Sequence, residues 1–164
     1  MTDTNRFRPP PGTVPVACVD IGGTKVAVSI ADEHGLRAQV VEPTAKSGPN
    51  SALADQLLRM VDQSAANAGV ARDKVTAVGV SSCGPFVLSD GMLELAAPNI
   101  CGGLAGPARG LPNDWRSASL EAPLRQAFAQ VRVENDGIGA LEAERRWGAL
   151  NVDEIGRASC RERV

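Results

Sequence analysis

The chain has 164 residues, 43% hydrophobic and 22% charged, with 17 Lys and Arg against 19 Asp and Glu and a formal net charge of −2. That is enough for one domain with a core or for part of a larger protein. The charge balance offers no basic excess for nucleic acid, and no apolar run is long enough to span a bilayer.

Residues 1–15, MTDTNRFRPPPGTVP, read as a flexible lead-in. They are polar and Pro-rich and hold no signal-peptide core, which predicts a cytoplasmic protein. VACVDIGG is a continuous apolar run ending in glycines, as a buried strand requires. KVAVSIAD and LRAQVVEPT follow as second and third strands, separated by the turn DEHG, with His34 exposed in it. Short links between three strands predict an antiparallel meander. SGPNSALADQLLRMVDQSAANAGV then changes period. Leu53, Leu57, Val61, Ala65 and Ala68 share one helical face, with Ser51 or Asn50 to cap the start and Gly69 to end it.

KVTAVGVSS reads as a buried parallel strand after a crossover helix. Residues 83–114 are rich in Gly and Pro and read mostly as loop. SLEAPLRQAF is a helix with Pro123 in its first turn. QVRVEND is a strand ending on polar residues, and GIGALEAERRWGAL is a final helix with EAERR on its solvated face. The order β-β-β-α-β-α-β-α is an α/β fold with a mixed sheet.

Cys18, Cys83, Cys101 and Cys160 form no C-x-x-C pair, which argues against a zinc or redox site among them. Cys18, in an apolar run, reads as a small core residue. A cytosolic location also argues against disulfides.

Two stretches carry chemistry. In DIGGTK, Gly22 and Gly23 present amides without side chains, Thr24 adds a hydroxyl, Lys25 a charge and Asp20 a carboxylate. Phosphate oxygens can approach such a backbone, and Asp20 can serve magnesium directly or through water. The stretch is neither a Walker loop nor a dinucleotide fingerprint, and a β-turn needing glycine explains it equally. In VENDG, Asn135 and Asp136 stand where a strand gives way to a helix, at the carboxyl edge where α/β sheets bind ligands. Asp136 can accept a proton from an attacking hydroxyl, and Asn135 can hydrogen-bond the same substrate. Helix capping is the competing explanation. Gly84 and Pro85 fix a loop beyond a strand, and Asn99 offers a donor and an acceptor to sugar hydroxyls. Turn chemistry explains these as well.

Taken together and in order, DIGGTK, VGVSSCGPF, LAAPNI and VENDGIGALEAERRWGAL resemble the ROK family of sugar kinases and sugar-responsive repressors over residues 16–150. The resemblance, which is glucokinase-like, implies an actin-like, ribonuclease-H-like N-terminal lobe with a mixed sheet of about five strands and flanking helices. It implies ATP- and Mg2+-dependent phosphorylation of a hexose or amino sugar such as glucose. By position, Gly22, Gly23, Thr24 and Lys25 would meet the ATP phosphates, and Asp20 the metal. Gly84, Asn99 and Asn135 would bind sugar, and Asp136 would be the catalytic base. The implied partners are the sugar and ATP, with no nucleic acid, no membrane and a homo-oligomeric parent. A repressor of this family carries a winged helix-turn-helix ahead of the motif strand, whereas residues 1–15 have no helical period, which favours the kinase branch.

Two departures stand out. Gly137 follows Asp136 where the family has a small residue such as Ala, and CGGLAGPARGLPND is longer than the family's loop. The second phosphate loop, the E-x-G-H motif and a cysteine-rich zinc motif of the family have no counterpart in these residues. Residues 155–164, IGRASCRERV, match the translation of a common sequencing adapter, ATC GGA AGA GCG onward. The expectation is a native lobe over residues 16–153 and a non-native tail at 154–164. An inactive truncation product is the corresponding alternative. Apolar surface is expected on the sheet and the final helix.

Overall fold

The structure is a computed structural model that describes residues 11–105 and 110–147. The expected tail lies outside the described residues. Strands β1 (Val16–Ile21), β2 (Lys25–Asp32) and β3 (Gly35–Pro43) form the expected antiparallel meander. Helix α1 (Ala52–Ala68) crosses back to β4 (Ala77–Ser82), which lies parallel to β1. A hairpin follows, β5 (Phe86–Ser89) and β6 (Met92–Leu95), then the short helix α2 (Gly102–Ala105) and the two-residue strand β7 (Ala118–Ser119). Helix α3 (Glu121–Ala127), strand β8 (Gln130–Asn135) and helix α4 (Asp136–Trp147) complete the described chain. The main sheet runs β3-β2-β1-β4-β8 and the small one β5-β6-β7.

Strand alternation assigns the two faces of the main sheet. Ala17, Val19 and Ile21 of β1, Val26, Val28 and Ile30 of β2, and Val78 and Val80 of β4 are buried. They share one core with Leu53, Leu57, Met60 and Val61 of α1 and Leu124 of α3. Each such Val, Ile, Leu or Met side chain contributes roughly 1.5–3 kcal/mol on leaving water. The expected helical face of α1, Leu53 to Ala68, is buried throughout. The opposite sheet face is open. It holds a groove of about 490 Å³ lined by Cys18, Asp20, Ser29, Ser81 and Glu134, with Gly139 of α4 at its edge.

Several sequence expectations need correction. The described part of residues 83–114 is mostly loop and turn as expected, but it holds an unexpected hairpin: β5 and β6 pair there, and the backbone of Leu93 in β6 is tied to α3 by the buried Glu121 carboxylate (2.8 Å). Cys18 is not a core residue. It alternates out of β1 onto the open face and is half-buried, although burial still raises its thiol pKa. Neither Ser51 nor Asn50 caps α1 through a side chain: the Ser51 hydroxyl lies against Asp55 Oδ2 (3.1 Å), and the Asn50 carbonyl accepts from Ser119. The helix does end at Gly69, in the left-handed region at φ 68°. The Lys74–Thr76 part of the fourth expected strand is not strand; Arg72–Lys74 forms a 3-10 turn. Leu36, Ile138 and Leu141 are exposed, the apolar surface expected on the sheet and last helix.

Candidate functional site

Strands β1, β4 and β8 run parallel, so their carboxyl ends finish on one edge. Ile21 is level with Ser82, and Ser82 with Asn135. Two strand spacings, about 10 Å, therefore separate the glycine turn from the β8–α4 junction.

The turn Gly22–Thr24 joins β1 to β2. The Gly22 amide closes it by donating to the Lys25 carbonyl (2.9 Å), so the sequence-based view of Gly22 as an open phosphate donor is corrected: its N–H is already used. The Gly23 and Thr24 amides make no hydrogen bond among the described residues, and the Thr24 and Lys25 side chains are exposed. Thr44, just after β3, clamps the turn from outside. Its hydroxyl donates to the Gly22 carbonyl (2.7 Å), and its amide to the Thr24 carbonyl (3.1 Å).

Asn99 lies against this turn. A Cβ at Gly23 would collide with the Asn99 side-chain amide, so the bare glycine is what lets Asn99 approach this closely. The motifs DIGGTK and LAAPNI, 76 residues apart by their numbering at these two positions, thus meet in space.

A second group forms where β4 and β8 end. Gly84 has φ 60°, which suits glycine, and precedes Pro85 in a cis peptide. A Cβ on Gly84 would stand 3.6 Å from Asn135 Nδ2, and that amide donates to the Cys83 carbonyl (3.3 Å). Asn135 Oδ1 and Asp136 Oδ1 both accept the Gly137 N–H, at 3.0 and 2.7 Å. The capping role is therefore real. It leaves Asp136, an exposed residue, with Oδ2 unengaged among the described residues. Gly137 gives the cap a small residue at that point.

Asp20 sits one residue before the shared edge, level with Ser81 and Glu134. It alternates onto the open sheet face beside Ser81 and lines the groove there. Among the described residues no group of three or more His, Cys, Asp or Glu is placed to hold a metal unaided. Two further residues were given no role by the sequence, although Ser82 lies within VGVSSCGPF. Ser82 is fully buried at the shared edge, and its hydroxyl has no partner among the described residues. Asn113, in the long loop after Asn99, uses its whole amide on backbone groups.

Solved structures similar to this fold include ROK sugar kinases. A ROK hexokinase from Thermus thermophilus matches 82% of this chain at 29% identity, with a TM-score of 0.60. The chain has the fold of the amino-terminal lobe of ROK sugar kinases. A ROK-family glucokinase from Streptomyces griseus, solved with glucose and AMPPNP, matches 82% at 28% identity with a TM-score of 0.56. The ROK-type lobe spans 39% and 37% of those two chains. No family model matches the chain, and no curated protein sequence does. The mixed five-stranded sheet with flanking helices expected from the ROK resemblance is present, and so are the meander and the crossover read from the apolar pattern.

Proposed function

We propose that this chain supplies the amino-terminal half-site of an ATP-dependent kinase acting on a hexose or amino sugar such as glucose. The observation that carries the reading is the shared edge. Parallel strands place the Gly23–Asn99 contact and the Gly84–Asn135–Asp136 group about two strands apart, room for a sugar and a phosphoryl group between them. Similar structures, one holding glucose and AMPPNP, support it.

Each residue then has work its chemistry suits. The Gly23 and Thr24 amides, the Thr24 hydroxyl and the Lys25 ammonium face phosphate oxygens, and Gly22 shapes the turn that aims them. Asn99 and Asn135 offer donors and acceptors to sugar hydroxyls, with Gly84 leaving room beside Asn135. Asp136 Oδ2 takes the proton of the attacking hydroxyl as its oxygen bonds to the γ-phosphorus and the bond to ADP breaks. Asp20 fits a magnesium ion only as one carboxylate shared with phosphates, directly or through water, which is how such ions bind. When bound, the ion neutralises phosphate charge. Catalysis in this class is positioning and electrostatics more than covalent chemistry.

The reading places the protein in the cytoplasm, as part of a homo-oligomer. It also assigns the lobe to residues 16–153 and residues 154–164 to a non-native tail. The 164-residue chain alone is expected to release no ADP in the presence of sugar, because a lobe spanning about two fifths of its matches cannot enclose both substrates. The test is sugar-dependent ADP release by the complete gene product over a panel of hexoses and amino sugars. Asp136→Asn should lower kcat by about 10²–10⁴ with KM for ATP unchanged. An unaltered kcat would remove Asp136 from the chemistry. Absence of turnover with every sugar would overturn the kinase reading.

A further inference from the structure

The loop between Asn99 and Trp115 is longer than the resemblance called for, and one side chain closes it. Asn113 Nδ2 donates to the carbonyls of Lys46 (2.7 Å) and Ile100 (2.9 Å). Its Oδ1 accepts from the amides of Gly102 and Trp115, both at 3.0 Å. A primary amide has two N–H donors and two carbonyl lone pairs, so Asn113 is saturated. All four partners are main chain; Trp115 is local, and the other three belong to two segments remote in sequence, Lys46 and Ile100–Gly102.

Those segments carry both sides of the Gly23–Asn99 contact. Ile100 adjoins Asn99 directly. Lys46 lies two residues beyond Thr44, whose amide and hydroxyl clamp the Gly22–Thr24 turn. The Trp115 indole extends the same tie by donating to the Gly48 carbonyl (3.0 Å), and Trp115 is buried. Gly102 and Gly103 let the loop's two arms touch backbone to backbone. A Cβ on either would run into the carbonyl of Asn113 or Asp114. The two described arms of the loop are thus tied to each other backbone to backbone.

We propose that Asn113 is a positioning residue: it sets where Asn99 stands against the glycine turn and thereby tunes recognition of the sugar. The role is positional because Asn113 spends its whole amide on backbone and has no group left for a ligand. It rests on the sugar-kinase reading for its effect on substrate, but not for its effect on Asn99. Asparagine is specifically required. Aspartate would keep the two acceptor bonds yet set a negative oxygen against the Lys46 and Ile100 carbonyls.

The experiment has two arms. The first uses the isotopically labelled 164-residue chain. The nuclear Overhauser contact between the Asn99 side-chain amide and Gly23 is followed in Asn113→Ala, Asn113→Asp and the core variant Leu57→Ala. Both Asn113 variants should lose it with main-sheet resonances in place, while Leu57→Ala, destabilised but folded, keeps it. Retention of the contact in Asn113→Ala overturns the proposal. If the Asn113 variants fail to fold, Asn113→Ser, which keeps one donor and one acceptor, takes their place under the same criterion. The second arm uses the complete gene product. Asn113→Asp should raise KM for the sugar about tenfold or more, the scale of one lost hydrogen bond, with KM for ATP within about twofold. An equal loss in both substrates, or in kcat alone, overturns the specificity role. If the unaltered protein phosphorylates no sugar, the kinase reading fails, and the first arm still decides whether Asn113 places Asn99.

Discussion

At the scale of single residues, the Gly23–Asn99 contact separates stability from geometry. Gly23→Ala places a methyl group where the Asn99 amide now stands. Asn99 is exposed, so its side chain can rotate away at about 0.5–1.5 kcal/mol, far less than a core clash. Urea unfolding of Gly23→Ala should therefore show a loss within that range. In Gly23→Ala/Asn99→Ala the loss should vanish relative to Asn99→Ala alone, giving a coupling energy close to the single-mutant cost. Additive losses would mean that the methyl meets something other than Asn99. The motif spelling made glycine look like a bare backbone for phosphate. The structure adds that Gly22 spends its amide on the hairpin and Gly23 spends its missing side chain on Asn99. A pattern of letters cannot separate those uses, because each depends on a partner distant in sequence.

At the scale of elements, α1 shows which sequence signals can be trusted. Its apolar periodicity identifies the buried face correctly because burial of Leu53, Leu57 and Val61 outweighs any local preference. Its capping signal misleads, since Ser51 sits at the cap position with helical backbone angles and directs its hydroxyl to Asp55. Ser51→Ala should therefore change the unfolding free energy by less than about 0.5 kcal/mol, below the usual cost of losing a cap. Leu57→Ala should cost about 2–5 kcal/mol. Urea midpoints of the two variants check this, and a loss above 1 kcal/mol for Ser51→Ala would restore the side-chain cap. The same logic explains what was legible elsewhere. The meander and β4 announce themselves because each buries a continuous face. The β5–β6 hairpin does not: Val87, Leu88 and Ser89 are exposed, and much of its anchoring comes from Glu121, nearly thirty positions downstream. Cys18 was misplaced because an apolar run marks a strand without saying which of its faces is covered. The β8–α4 junction was legible as a place: Asn135 Oδ1 caps α4 at the Gly137 N–H, while Asp136 engages only one oxygen there and keeps the other.

At the scale of the whole molecule, three carboxylates seam the elements together, and all are held ionised below their ordinary range. Asp32 is lowered chiefly by its hydrogen bond from Arg37, which also reaches the last turn of α1 through the Ala68 carbonyl (2.6 Å). Glu121 is lowered first by the Leu93 N–H and then by Arg125, tying β6 to α3. Glu42 is pushed to about 2 by Arg59 and then Gln56, tying β3 to α1. A carboxylate with a lowered folded-state pKa binds fewer protons folded than unfolded, so its stabilisation is complete above the unfolded value and drains as pH falls toward the folded one. Stability should thus be flat above about pH 5 and fall between about pH 4.5 and 2, by at most about 1.4 kcal/mol per pH unit for each group. The three should not contribute equally. Arg59 is 58% exposed, so its pair with Glu42 is screened by water and salt despite the large shift. The Asp32 and Glu121 carboxylates are only 6% and 11% exposed. In urea titrations at about 0.5 M salt, Asp32→Asn and Glu121→Gln should each flatten the acid limb, while Glu42→Gln leaves it nearly unchanged. The reverse order would place the acid sensitivity in the β3–α1 surface pair. The expected order places it where the hairpin meets α3 and where the meander meets α1. None of the three carboxylates belongs to the β1, β4 and β8 edge that carries the candidate site. Acid should therefore loosen the frame of the lobe before it changes the arrangement of Asn135 and Asp136, and resonances at that edge should outlast those around Asp32 as the pH is lowered.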